Sequence, residues 1–241
     1  MSLPDLIIGK GEVGSSLAAI MQAAGRTAVH HDPPLGIVAQ PGTYASVHLC
    51  IPFKDLESFL GIAHPLLEQF PSDTVIVHST VGIGTTRLLG DTVSYSYVTG
   101  RHPQLDTEML WFKRHLGCVS AERRSRAASL LRELSFEVIE HENPDAVEFG
   151  KLFDTTYYGI CVAWTKLAAS IASENGIDFT EIEIMNRTYN QGYAQHDLAK
   201  YARPELHPTP GPIGGHCVVP NAKILQRLHP HPLIQSVIDA A

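Results

Sequence analysis

Short apolar runs alternate with amphipathic stretches through the first half of the chain. Leu6-Ile7-Ile8 is an apolar run ending at Gly9, and residues 13–24, rich in Ala, Leu and Met, predict a helix stopped by Gly25. Residues 27–31 read as a second strand, ended by Asp32-Pro33-Pro34, and residues 46–51 as a third, halted by Pro52. Helical spacing resumes over 55–69, and residues 74–78 read as a fourth strand. Further strands are expected over 93–98, 116–120 and 137–139, the last two separated by a helix over 121–134. Strands alternating with helices predict a doubly wound α/β fold, with a mainly parallel sheet covered on both faces.

The pattern changes near residue 142. Asn143-Pro144-Asp145 carries the signals of a helix start: Asn as cap, Pro at the first helical position and an acid in the first turn. The helix that follows runs to Asn175-Gly176, about 45 Å at 1.5 Å per residue, and its second half is apolar on nearly every face. A helix of that kind belongs inside a structure or in a subunit interface. Two domains are therefore expected: a sheet domain over residues 1–140 and an α-helical domain over 141–241, built on one long central helix. The stretch from about 190 to 220 is rich in Pro, Gly and His.

With 44% hydrophobic and 18% charged residues, the 241-residue chain has the balance of a folded globular protein. A net charge of −7 gives no electrostatic reason to expect nucleic acid or an anionic membrane as partner. The stretch near 155–165, flanked by Asp154 and Lys166, is too short for a bilayer span. Met1-Ser2-Leu3-Pro4-Asp5 lacks the basic region of a signal peptide. Cys50, Cys118, Cys161 and Cys217 form no C-x-x-C pair, which speaks against a disulfide framework or a Cys-rich zinc site. A cytoplasmic protein is the expectation. The 13 His are numerous for this length.

Gly9-Lys10-Gly11-Glu12-Val13-Gly14 is a G-x-G-x-x-G between a strand and a helix. The first Gly permits a tight turn, the second lets backbone approach a pyrophosphate, and the third lets the helix pack on the strand. The helix N-terminus at Glu12 and Val13 offers free N–H groups to the anion. Asp32 lies 18 positions beyond Gly14, at the end of the next strand, near the spacing of a ribose-binding acid. An acid there favours NAD over NADP, and no Arg follows it. The pattern predicts a Rossmann-type NAD site, against the plainer reading of a glycine turn and a strand-end Asp. Pro52, Ser79 and Thr80 follow the third and fourth strands, where strand C-termini line the cofactor crevice. The hydroxyls suit ribose or phosphate, or equally an ordinary helix cap.

The segment Pro210-Gly211-Pro212-Ile213-Gly214-Gly215-His216-Cys217 is the most unusual. A Cys that begins a helix sees the positive end of its dipole, which favours thiolate, and the adjacent His can assist. The alternative is a small buried hydrophobe. Glu148, Lys151, Thr155 and Tyr158 share one face of the long helix, as a site or as a solvated stripe.

Taken together, these motifs resemble the nucleotide-sugar 6-dehydrogenases that act on UDP-glucose, UDP-N-acetylmannosamine or GDP-mannose. The residues that carry the resemblance are Gly9 to Gly14, Asp32, Ser79-Thr80-Val81 with Gly84-Thr85-Thr86, Glu148 with Lys151-Leu152, Gly176-Ile177-Asp178, and Pro210 to Cys217. The resemblance covers residues from about 5 to 225. It is to a short member without the C-terminal domain that grips the nucleotide of the sugar donor.

It implies an NAD-dependent oxidoreductase acting on an alcohol or aldehyde. It also implies a helical domain of the 6-phosphogluconate dehydrogenase kind, a homodimer through the long helix, and a small-molecule substrate bound between the domains. It gives Cys217 the role of nucleophile, which captures an aldehyde as a thiohemiacetal; a second hydride then passes to NAD, and water hydrolyses the resulting thioester to free the thiol. Lys151 becomes the oxyanion stabiliser.

Three positions depart from the family pattern. Thr155 stands for an Asn, Asn221 falls at or near an Asp, and Gln104 stands for a Glu. The two lost carboxylates are the groups best suited to activate water. Cys217 and Lys151 suffice for hydride transfer at a carbonyl, whereas the hydrolytic half of a four-electron oxidation needs another base, and the residues leave a two- or a four-electron reaction open. His102 and His216 are the imidazoles available for proton transfer. The departures also motivate a second reading, a non-catalytic NAD-binding sensor or accessory protein. A metal site is not expected, because His216 and Cys217 are adjacent and no metal-ligand spacing accompanies them.

Overall fold

A computed structural model describes residues 3–215 and 217–241. Along the chain run β1 (Asp5–Ile8), α1 (Glu12–Ala23), β2 (Ala28–His31), β3 (Val47–Leu49), α2 (Leu56–Gln69), β4 (Val75–Val77), α3 (Thr85–Leu89) and β5 (Val93–Tyr95). These are followed by α4 (Leu105–Glu108), β6 (Arg114–Gly117), α5 (Ala121–Glu133), β7 (Val138–His141), α6 (Pro144–Glu174), α7 (Phe179–Ala194), α8 (Val218–Leu228) and α9 (Pro232–Asp239). They make two compact units, the first ending at Lys151 and the second being Leu152–Ala241.

The first unit is built on one seven-stranded sheet in the order β2-β1-β3-β4-β5-β6-β7. Neighbours are parallel except β5 and β6, which meet antiparallel at Tyr95 and Gly117. Side chains of a strand alternate between faces, and the core divides accordingly. Leu6, Ile8, Val47, Leu49 and Val77 pack with Phe59 and Ala63 of α2. Ile7, Ile76 and Leu116 pack on the other face with Leu17 and Met21 of α1 and Ala127 and Leu131 of α5. The strand order reverses between β1 and β3, the switch point at whose carboxyl ends sheets of this kind bind ligands.

In the second unit, Ile213, Val219, Ala222 and Val237 form a smaller core, with Ile160 and Ala163 of α6 against it. Gly159 allows the close approach: a Cβ there would lie 2.6 Å from side-chain atoms of Val218 and Val237. Much of the apolar surface of α6 stays open, Trp164 at 63% and Leu167 at 53% exposure. No residue of α7 is buried.

The Rossmann-type sheet and the long helix are as expected; element bounds shift in several places, and α7 and α9 are not among the expected elements. The sixth strand covers Arg114–Gly117 rather than 116–120, because Ser120 is the cap of α5, its hydroxyl accepting the Arg123 N–H at 3.4 Å. Arg114 reads as loop in sequence yet is 3% exposed within the sheet. The fifth strand ends at Tyr95, short of residue 98. Helix α7 escapes the pattern because its apolar residues lie among polar ones with none buried. Its start is nonetheless marked by Asp178, which accepts the Thr180 N–H at 3.0 Å. No helix among the described residues is long and apolar enough to cross a membrane.

Candidate functional site

The glycine turn joins β1 to α1. Gly9 has φ +98°, and a Cβ on it would stand 2.5 Å from the Cys50 carbonyl oxygen. A Cβ on Gly14 would stand 2.1 Å from the Gly9 carbonyl oxygen, so both positions exclude any side chain. Gly11 is different. It is the cap residue of α1, makes no side-chain cap bond, and a Cβ there would meet nothing within 4 Å. Two glycines thus serve the fold, and the third opens space over the first N–H groups of a twelve-residue helix. That is the shape a dinucleotide pyrophosphate requires.

Asp32 stands just past β2, half-buried, and its Oδ2 accepts the Lys10 N–H at 2.7 Å. The bond ties the acid to the glycine turn and leaves Oδ1 outside that contact. Glu12 and Val13 begin α1, with Glu12 exposed and Val13 half-buried. A carboxylate in the first turn competes with a bound anion for the helix dipole. Glu12 is held by His102, Nε2 to Oε2 at 3.0 Å. His102 therefore stands at the mouth of the glycine turn. Gln104 is exposed and begins α4. Pro52 is exposed after β3 and Thr80 half-buried after β4. The Ser79 hydroxyl donates to the Ile51 carbonyl at 2.6 Å, which fastens the end of β4 to the end of β3.

The polar stripe of α6 is not solvated at its start. Glu148 is fully buried and its carboxylate accepts the Gly84 N–H at 2.6 Å, the Thr86 N–H at 2.8 Å and the Thr86 hydroxyl at 2.6 Å. Burial pushes this carboxyl above its usual range while the three donors pull it back. Lys151, 8% exposed, donates from Nζ to the Val98 carbonyl at 3.0 Å and lies 5.3 Å from the Tyr97 ring centroid. Lys151 is thus a buried ammonium beside a carbonyl and an aromatic face.

In the second unit, Cys217 is exposed and is the cap residue of α8, as its sequence context predicts. His216 lies outside the described residues. Asn221, one turn into α8 and 4% exposed, donates from Nδ2 to the Thr155 hydroxyl at 3.1 Å. Two of the three positions that depart from the resembled pattern are thus hydrogen-bonded to each other. Among the described residues, no group of three or more His, Cys, Asp or Glu is placed to hold a metal ion.

Sequence reasoning missed two arrangements. The capping role of Glu148 leaves no local signal, since its partners are 62 and 64 positions away. The polar positions Ser46, His48, Ser94 and Ser96 did leave one: they recur at period two within otherwise apolar strands, which marks buried polar groups on one sheet face.

No family model matches the chain, and no curated protein does. Solved structures do match, along nearly all of it. The UDP-D-ManNAc dehydrogenase of Pyrococcus horikoshii is 19% identical with a TM-score of 0.79, over 98% of this chain and 68% of that one. The NDP-N-acetyl-D-galactosaminuronic acid dehydrogenase of Methanosarcina mazei Go1 is 16% identical with a TM-score of 0.72, over 99% and 66%. The 3-hydroxyisobutyrate dehydrogenase of Mycobacterium tuberculosis is 13% identical with a TM-score of 0.70, over 99% and 92%. The fold shared with them is the Rossmann-type α/β unit followed by a helical region. The chain spans about two thirds of the sugar-nucleotide dehydrogenases it resembles.

Proposed function

We propose that the chain is an NAD-dependent oxidoreductase acting on an alcohol or aldehyde, related to the nucleotide-sugar 6-dehydrogenases. The observation that carries the reading is the glycine turn: Gly9 and Gly14 admit no side chain, Gly11 leaves open space at the helix start, and Asp32 is tied to the same turn through Lys10. Residues 1–140 are the NAD-binding domain in this reading, and residues 141–241 serve substrate binding and dimerisation. The α1 N-terminus takes the pyrophosphate, Asp32 a ribose hydroxyl, and Pro52, Ser79 and Thr80 line the remainder of the crevice. When bound, NAD supplies the hydride acceptor.

The side chains supply the rest. Lys151 places a positive charge for the oxygen that becomes a carbonyl, and Cys217 is the nucleophile toward an aldehyde. His102 and His216 carry protons, His102 from its place beside Glu12. Asn221 and Thr155 bond to each other and hold no charge, so neither serves as the base that draws a proton from hydrolytic water. The step these residues support is hydride exchange between alcohol and carbonyl; hydrolysis of a Cys217 thioester would need His102 or His216 as its base. The protein works in the cytoplasm as a homodimer through the long helix α6, whose Trp164 and Leu167 are at least 53% exposed. Light scattering on the purified protein reads that state directly.

The same neutral pair favours a second reading, an NAD-binding protein without turnover. Incubation with NAD and a panel of alcohols, sugar nucleotides included, separates the two. Saturable appearance of reduced nicotinamide supports the oxidoreductase, and NAD binding without any turnover supports the sensor.

A further inference from the structure

The sheet face under α1 and α5 carries a row of polar side chains that packing does not require. Asp5, Ser46, His48, His78, Ser96 and Arg114 are each at most 3% exposed. Arg114 NH2 lies 2.8 Å from His78 Nδ1, His78 Nε2 lies 2.9 Å from His48 Nδ1, and His48 Nε2 lies 2.7 Å from the Ser46 hydroxyl. That hydroxyl is 2.6 Å from Asp5 Oδ1. Arg26 closes the far end with two bonds of 2.8 Å to the Asp5 carboxylate.

Chemistry fixes the direction of every proton in this row. The Ser46 hydroxyl donates to Asp5, so with neutral rings His48 keeps its proton on Nε2 and His78 Nδ1 is left bare, between the Arg114 NH2 donor and the Ser96 carbonyl oxygen at 2.9 Å. The proton of His78 then sits on Nε2 and is given to His48 Nδ1. The proton of His48 sits on Nε2 and is given to Ser46, which gives its own to Asp5. Arg114 spends its other donors on the Ser96 carbonyl at 2.8 Å and the Ser96 hydroxyl at 3.2 Å. The row joins β1, β3, β4 and β6 by one unbroken, one-way set of hydrogen bonds.

We propose that this row is an acid-sensitive latch in the sheet, closed while both imidazoles are neutral and broken by one added proton on either ring. A proton on His48 Nδ1 confronts the N–H of His78. If His78 moves its own proton to Nδ1 to make room, that proton can go to the Ser96 carbonyl at 2.9 Å, but Arg114 NH2, 2.8 Å away, then loses Nδ1 as its acceptor and faces a second buried cation. The groups facing the pair are Asp5 and Arg26 at one end and Arg114 at the other, with Cys50 also beside Arg114. Burial holds His48 down to about 4 and His78 well below its ordinary range, with the Arg114 charge adding to both effects. The Cys50 thiol, pushed up to about 12 by burial, stays neutral and offers no counter-charge.

The sign follows from linkage. An imidazole that is neutral when folded and free to protonate when unfolded stabilises the fold fully above its unfolded value of 6.5, and that stability is lost as pH falls toward 4. Within that window each ring lowers the folding constant by about tenfold per pH unit, and the pair by about a hundredfold. His78 is followed by Ser79, whose bond to the Ile51 carbonyl joins β4 to β3. Acid therefore loosens the sheet at the edge that bears the glycine turn.

Two measurements on the full chain test the latch, and neither depends on the proposed reaction. Nitrogen-15 NMR of labelled histidine should show one protonated and one bare ring nitrogen on both His48 and His78, at about pH 7.5 and still at about pH 5.5 in the folded fraction. An imidazolium signal from either ring in folded protein at the lower pH overturns the proposal. Urea unfolding of wild type and His48→Gln should show the folding constant falling about tenfold less in the variant between about pH 6 and about pH 5. The comparison removes the common background from His30, His31 and His141, which burial also lowers. Equal pH dependence contradicts the latch, and if the variant does not fold, the NMR result decides alone.

Discussion

Glu148 and Thr86 are joined twice, Oε1 accepting both the backbone N–H at 2.8 Å and the hydroxyl at 2.6 Å. The acid also takes the Gly84 N–H, so the first turn of α6 caps the loop that follows β4. Lys151 lies three residues further along the same helix, and its position depends on this anchor. Glu148→Gln keeps the shape but turns an acceptor into a donor opposite backbone N–H groups. It should cost about 1–3 kcal/mol in urea unfolding. Any turnover should fall with it, while Glu148→Asp recovers part of both.

Gly14→Ala should not be tolerated. Its Cβ would stand 2.1 Å from the Gly9 carbonyl, a backbone atom fixed by the turn itself. Either α1 moves away from β1 or the turn opens. A thermal unfolding midpoint lowered by many degrees, or failure to recover folded protein, is the expected outcome.

Asp32→Asn should separate affinity from fold. The amide oxygen can still accept from Lys10, so stability should change little. The charge that holds a ribose hydroxyl and repels a 2′-phosphate is gone. NAD affinity should fall about tenfold while the preference for NAD over NADP narrows, read from the two dissociation constants.

Arg26→Met tests the other end of the sheet. Burial pushes the Asp5 carboxyl up, but the hydrogen bonds from Arg26 and Ser46 outweigh it and hold the group below its ordinary value. With a lowered value, the contribution of Asp5 is present above the carboxylate range and lost as pH falls through it. Without Arg26, burial dominates and the penalty for an ionised Asp5 sits at neutral pH. The variant should be less stable by roughly 3 kcal/mol at about pH 7, and the difference should shrink toward about pH 4. Urea midpoints at the two values check it.

The elements legible in the sequence were those whose apolar residues face a core. The run Leu6-Ile7-Ile8 and the Asn143-Pro144 helix start act within a few residues, so spacing reveals them, whereas Ser120 reads as the end of a strand and is a helix cap. The glycine turn was legible because each glycine has a steric reason that spacing encodes. Arg114 and His78 were not, since a buried charge is recognisable only from partners on other strands. The pairing of Asn221 with Thr155 escaped for the same reason, at a separation of 66 positions. The surplus of His has a partial answer in the two imidazole pairs, His48 with His78 and His115 with His141, both of which lie within the sheet.

The most direct test is a calorimetric titration of NAD into the wild-type protein and Gly11→Val. At that position a Cβ meets no atom beyond its chain neighbours within 4 Å, so the variant should keep the wild-type unfolding midpoint. Saturable binding by the wild type and at least a hundredfold weaker binding by the folded variant, about 2.7 kcal/mol, is the predicted result. Equal affinity in the two proteins, or no binding by the wild type, contradicts the placement of a dinucleotide on the glycine turn and the oxidoreductase reading with it.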